Sequence, residues 1–251
     1  GQIAAGQNLF ERLFPYTETA TPDGHYVYVT YQAPYNDGTF QHLLIFDIVN
    51  STATLFNLDK YAIGSYNQFQ PVISPDGKFL VLRGNQFNYP FATQLDVFDI
   101  NTNPKVPRLV GAVTVPRNWR GTAPYPPDMF SYQILGNYLF VVSHFSNAVM
   151  TFNFKPANND FRPISIYTLP GNSNSEAGKI AVSPDGNYLY VASNADDMVL
   201  VLDPNKLVEN QDPLITTLAS TDAVFAIAVS PVPPPPVSFK TRQRPQASAR
   251  Q

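Results

Sequence analysis

Ile180 and Val182, then Tyr188 and Tyr190, alternate with small or polar neighbours on either side of Ser183-Pro184-Asp185-Gly186. This period of two, broken by a compact polar tetrapeptide, predicts strand, tight turn, strand. Proline presets φ, the aspartate offers an Asx side chain, and the glycine is free to take positive φ. The unit recurs. Thr21-Pro22-Asp23-Gly24 precedes the apolar run ending at Tyr31, and Ser74-Pro75-Asp76-Gly77 precedes Phe79–Leu82. Leu135-Gly136 precedes Tyr138–Val142 in a copy without the Pro-Asp pair. The turn glycines are spaced 53, 59 and 50 residues apart, near the ~40–50 residues of a four-stranded propeller blade.

Each repeat continues with a third apolar run ending at Asp47, Asp99, Asn153 or Asp203, where an Asx-type turn can lead into a fourth strand. The expected fold is all-β: a β-propeller of four-stranded antiparallel blades, with four full blades over about 16–59, 67–116, 128–170 and 177–219. Gly6–Pro15 reads as the outer strand of a preceding blade, and Ala223–Pro231 as the inner strand of a following one. Propeller repeats therefore occupy 1–231, and the ring is incomplete or completed by another chain. Residues 232–251 form a Pro-rich, basic tail with Lys240, Arg242, Arg244 and Arg250, expected to be extended or disordered.

Composition agrees with this reading. Aromatic residues make up 13% of the 251 and favour strands, while the 24 prolines exclude long helices. A net charge of −3 gives no argument for nucleic acid. No apolar run reaches the ~20 residues of a membrane span. Cysteine is absent, so disulfides, thiolate zinc and iron–sulfur clusters are excluded. The chain opens at Gly1 without a methionine, which leaves room for a leader or a larger N-terminal region.

Thr21-Pro22-Asp23-Gly24 with Tyr28-Val29-Thr30, and Ser183-Pro184-Asp185-Gly186 with Tyr188–Asn194, resemble the YVTN-type β-propeller repeat. The resemblance covers roughly residues 6–231. It implies a ring of blades, usually seven, and relatives that include surface-layer and secreted scaffolds, lactonase-like hydrolases and quinoprotein dehydrogenases. The expected setting is extracellular, cell-surface or periplasmic.

Loops that share one propeller face carry the candidate chemistry. Tyr61, Tyr66, Phe87, Tyr89, Arg117, Trp119, Arg120 and Tyr125 supply flat aromatic faces and guanidinium forks, suited to sugars, carboxylates or a partner protein. His144 ends a second strand at the same mouth, and Glu176 is an acid there without a turn role. His144, Glu176, Arg117 and Arg120 could supply a base and oxyanion stabilisation in a lactonase-like hydrolase of sugar lactones. No catalytic, metal or cofactor constellation assembles from spacing alone. The leading expectation is thus a non-enzymatic scaffold or protein- and glycan-interaction module that self-associates or binds protein partners; the hydrolase stands as the alternative. Asn50-Ser51-Thr52 is a glycosylation sequon at an outer hairpin.

Overall fold

The computed structural model describes residues 14–32, 42–58, 71–84, 94–116, 119, 129–143, 146–171, 177–193, 196–220 and 227. These form four antiparallel sheets of four strands, each sheet following chain order. Sheet one holds β1 (Phe14–Ala20), β2 (Tyr26–Gln32), β3 (His42–Asp47) and β4 (Thr52–Asn57). Sheet two holds β5 (Val72–Ile73), β6 (Phe79–Gly84), β7 (Gln94–Asp99) and β8 (Arg108–Thr114). Sheet three holds β9 (Ser131–Leu135), β10 (Tyr138–Ser143), β11 (Ala148–Asn153) and β12 (Pro163–Thr168). Sheet four holds β13 (Ala177–Val182), β14 (Leu189–Ser193), β15 (Met198–Leu202) and β16 (Leu214–Ala219). One short helix, α1 (Pro204–Val208), packs on β12.

The repeated tetrapeptide does more than turn the chain. Thr21 Oγ1 donates to Asp23 Oδ1 at 2.5 Å and accepts the Tyr26 amide at 3.0 Å. Ser74 repeats this with Asp76 and Phe79, and Ser183 with Asp185 and Tyr188. The hydroxyl therefore welds the end of each first strand to the start of the second. In sheets one, two and four the aspartate at the end of the third strand acts similarly. Asp47 accepts from the Asn50 amide, Asp99 from that of Asn101, and Asp203 from that of Asn205, where it caps α1.

Alternation along the strands sends consecutive residues to opposite faces, and each inner sheet has two faces to bury. In β6, Leu80 and Leu82 join a core with Tyr28, Leu43, Ile45 and Phe56 of sheet one. Val81 joins a second core with Leu139, Val141, Met150 and Phe152 of sheet three. In β10, Phe140 and Val142 face a third core with Leu189, Val191, Leu200 and Leu202 of sheet four. The first strands of successive sheets are neighbours: β1 with β5, β5 with β9, and β9 with β13. Sheets wedged face against face, with first strands gathered at one axis, are the blades of a β-propeller.

One expectation at the edge is corrected. Phe14 and Pro15 belong to β1, paired with Gln32 and Tyr31 across a register shift, rather than to the outer strand of a preceding blade. The shift between Pro15 and Thr17 lets proline stay in the strand, because a bulge tolerates a residue without an N–H.

Candidate functional site

The tetrapeptide turns and the Asx turns share one rim of the propeller. Loops entering first strands and joining second to third strands share the other, the mouth. Trp119 is half-buried, with its ring 5.4 Å from Phe152, near the Asn153 end of β11, and packed on the core between sheets two and three. The structure thus shows it covering a blade interface. Tyr61, Tyr66, Phe87, Tyr89, Arg117, Arg120, Tyr125, His144 and Glu176 lie outside the described residues. Asn50 is exposed at the β3–β4 hairpin, and its Nδ2 donates to Asp47 Oδ2 at 2.8 Å.

Toward the mouth the structure brings three residues that motif reasoning passes over, Arg83, Tyr132 and Lys179, to one side of sheet two, and leaves a fourth, Asp96, on its other face. Arg83 ends β6 on the face toward sheet three and is 8% exposed. Tyr132, near the start of β9, is 3% exposed, and the Arg83 guanidinium is close enough to act on it. Burial drives the Tyr132 hydroxyl well above the usual tyrosine range, and the nearby Asp96 carboxylate adds to that. Asp96 is the third residue of β7, lies opposite Leu82 on the face toward sheet one, and is 1% exposed. Its carboxyl is raised by burial against a 2.6 Å hydrogen bond from the Gln94 side-chain amide. Lys179, in β13, holds its ammonium 5.5 Å from the centre of the Phe130 ring. Burial first, and then the Arg83 charge, lower its pKa. Ser131 joins the inner strands by accepting the Ile180 amide at 3.2 Å.

The signal for these residues was present, though unlike a motif. Arg83 and Asp96 interrupt apolar runs in β6 and β7, where a charge is costly unless something uses it. The approach of Arg83 to Lys179, 96 residues away in sequence, needed the propeller.

The mouth hairpins of sheets three and four repeat one another. Ser146 donates its amide to Ser143 Oγ at 3.1 Å, and Asn147 takes φ 43°. Ser193 Oγ donates to Asp196 Oδ2 at 2.9 Å, and Asp197 takes φ 48°. The adjacent acids Asp196 and Asp197 therefore have hairpin roles. Two clefts, of about 530 and 300 Å³, lie on the opposite rim between neighbouring tetrapeptide turns. The turn carboxylates lining them, Asp76 and Asp23, are engaged in the hydrogen bonds that build the turns. The mouth is thus the better candidate.

Comparison with known proteins finds the family match in the second half of the chain. Residues 126–213, which span sheet three and most of sheet four, match the family described as "Lactonase, 7-bladed beta-propeller". An 83-residue stretch is 31% identical to the 6-phosphogluconolactonase of Bacillus subtilis (strain 168), covering 32% of this chain and 24% of that protein. The fold superposes on the periplasmic gluconolactonase of Pseudomonas aeruginosa with a TM-score of 0.57 at 17% identity, covering 87% of this chain and 58% of that one. It also superposes on hydrazine synthase of Kuenenia stuttgartiensis with a TM-score of 0.60 at 17% identity, covering 84% and 64%. At such identities the structural likeness shows the fold alone, and the two named activities illustrate how little a propeller says about chemistry. The sequence matches carry more: they make residues 126–213 similar to lactonase-like propellers, a likeness that backs the hydrolase better than the non-enzymatic scaffold. The chain spans about a quarter of the Bacillus protein and about six-tenths of the two structures.

Proposed function

We propose that the mouth of this propeller belongs to a lactonase-like hydrolase that opens a sugar lactone. The supporting observation is the coincidence of two facts. The residues matching the lactonase family include Tyr132 and Lys179, and the Arg83 charge acts on both, with Tyr132 buried and Lys179 half-buried. Lactone opening develops negative charge on the carbonyl oxygen as water adds. Fixed positive groups in a water-poor site stabilise that charge without reorganising. Arg83 and Lys179 fill this role in the proposal, and the same two cations suit a phosphate or carboxylate on the substrate. The similarity to a 6-phosphogluconolactonase supports an anionic sugar lactone. His144 and Glu176 remain the proposed sources of a general base, and Arg117 and Arg120 of further oxyanion stabilisation.

The test is hydrolysis of gluconolactone and its 6-phosphate by the full chain, followed as acid release. We expect turnover above the spontaneous rate, reduced about a hundredfold in Arg83→Gln. Asp23→Asn, on the opposite rim, should leave turnover unchanged. Absence of turnover on both lactones overturns the reading.

A further inference from the structure

On the rim opposite the mouth, neighbouring repeats touch through their turns. Pro22 stands 3.2 Å from where a Cβ on Gly77 would lie, and Leu135 stands 3.0 Å from one on Gly186. At Gly136, between them, a Cβ would meet nothing within 4 Å. The third repeat lacks the Pro-Asp pair, so residues 136–137 alone join β9 to β10, where 74–78 join β5 to β6. The short turn leaves room for the cleft of about 530 Å³ between sheets two and three. That volume suits a small molecule, whose sites span ~300–1,000 Å³. One wall is fixed by its backbone. The Phe154 amide donates to the Asn137 carbonyl at 2.7 Å, and the Asn158 amide to the Lys155 carbonyl at 3.0 Å.

Several polar side chains elsewhere on this rim are paired. Asn187 donates to Asp185 at 2.7 Å, Arg108 stands 3.1 Å from Asp99, and Arg162 stands 2.8 Å from Asp160. The cleft differs. Its half-buried Lys155 has no carboxylate within ion-pair distance among the described residues. The Asn137 and Asn158 side chains, which also line it, have no hydrogen-bond partner among those residues. The Asp76 carboxylate at its edge is already answered by the Ser74 hydroxyl at 2.6 Å and Lys78 at 3.4 Å. Pro75, Pro156 and Phe79 add apolar surface, with Phe79 set edge-on against Phe154. We propose that this cleft binds a small anionic polyol, a sugar carrying a phosphate or a carboxylate. Lys155 takes the anionic group, since a charge-assisted bond is the strong one available here. The Asn137 and Asn158 amides each offer donors and an acceptor to neighbouring hydroxyls, and the apolar residues cover the carbon face. The inference does not depend on the reading of the mouth.

Isothermal titration of the full chain with glucose 6-phosphate and with gluconate is the test, with glucose as the uncharged reference. At least one anion should bind, and glucose about tenfold more weakly, the loss of one charge-assisted bond. Binding by glucose 6-phosphate alone, or by gluconate alone, supports the site and identifies its anionic group. Lys155→Ala should weaken binding about tenfold. Ala157→Trp, on the exposed turn that lines the cleft, should abolish it by filling the space. Circular dichroism checks the fold of both variants. Arg83→Gln, toward the mouth, should keep the titration that the cleft variants lose. No binding of either anion overturns the proposal, as does glucose binding equally well. Binding lost in Arg83→Gln and kept in both cleft variants places the anion at the mouth; it overturns the cleft and leaves the lactone reading standing.

Discussion

Asp47 joins the first two blades through a side chain that is only 2% exposed. It receives Lys105 Nζ at 2.7 Å from the β7–β8 connection of the next sheet, and the Asn50 side-chain and backbone nitrogens at 2.8 and 2.9 Å. The Lys105 contact, followed by the Asn50 bonds, holds its pKa down to about 2 from an ordinary 3.8. A carboxyl with a depressed folded pKa contributes stability that is complete above the unfolded value and lost as pH falls through the folded one. The fold should therefore weaken between about pH 4 and pH 2. Asp47→Asn should make that loss shallower, read as urea midpoints across the range. Asp160, held to about 2 by Arg162, acts in the same window, so the variant removes only part of the slope. A slope unchanged by Asp47→Asn would show that this joint carries no linkage. The sequence marked Asp47 as a turn residue and missed its partner, because Lys105 is more than fifty positions away.

At the scale of strands and turns, the tetrapeptide was legible because all its parts act locally. Ser or Thr, Pro, Asp and Gly lie within hydrogen-bond reach of one another whatever surrounds them. The surroundings still set how each copy tolerates change. Gly24 and Gly186 have nearly the same backbone, φ 71° and 73°. A Cβ on Gly24 would meet nothing within 4 Å, whereas on Gly186 it would stand 3.0 Å from Leu135 Cδ1. Gly24→Ala should therefore cost about 1–2 kcal/mol, the strain of a left-handed residue alone. Gly186→Ala should cost more, because Leu135 has to move as well. Chemical denaturation of the two variants checks the order, and equal losses would discard the contact argument. Leu135 meets the turn glycine of the fourth repeat as Pro22 meets Gly77 of the second, so the degenerate third repeat is felt in the turn of the fourth.

Across the whole molecule, stability resides between the blades. Phe152 is fully buried in the core shared by sheets two and three, and Trp119 packs on its ring. Phe152→Ala should cost about 3–5 kcal/mol through lost burial and the cavity left behind. Leu218, 51% exposed on β16, should change stability by less than about 0.5 kcal/mol when cut to alanine. Thermal unfolding of both variants makes the comparison, and a large loss at Leu218 would mean that another surface covers sheet four.

Strand length, turn position and the antiparallel order within each blade followed from near neighbours in the chain, since alternation and turn chemistry operate over a few residues. So did the propeller class, because one repeated unit with two apolar faces has few ways to bury both. The meeting of Arg83, Tyr132 and Lys179 did not follow. Those residues come from three strands in three sheets, and wedging of the blades sets both their separation and their burial. A charge on a strand looks the same in sequence whether it ends in solvent or against another cation, and only packing distinguishes the two.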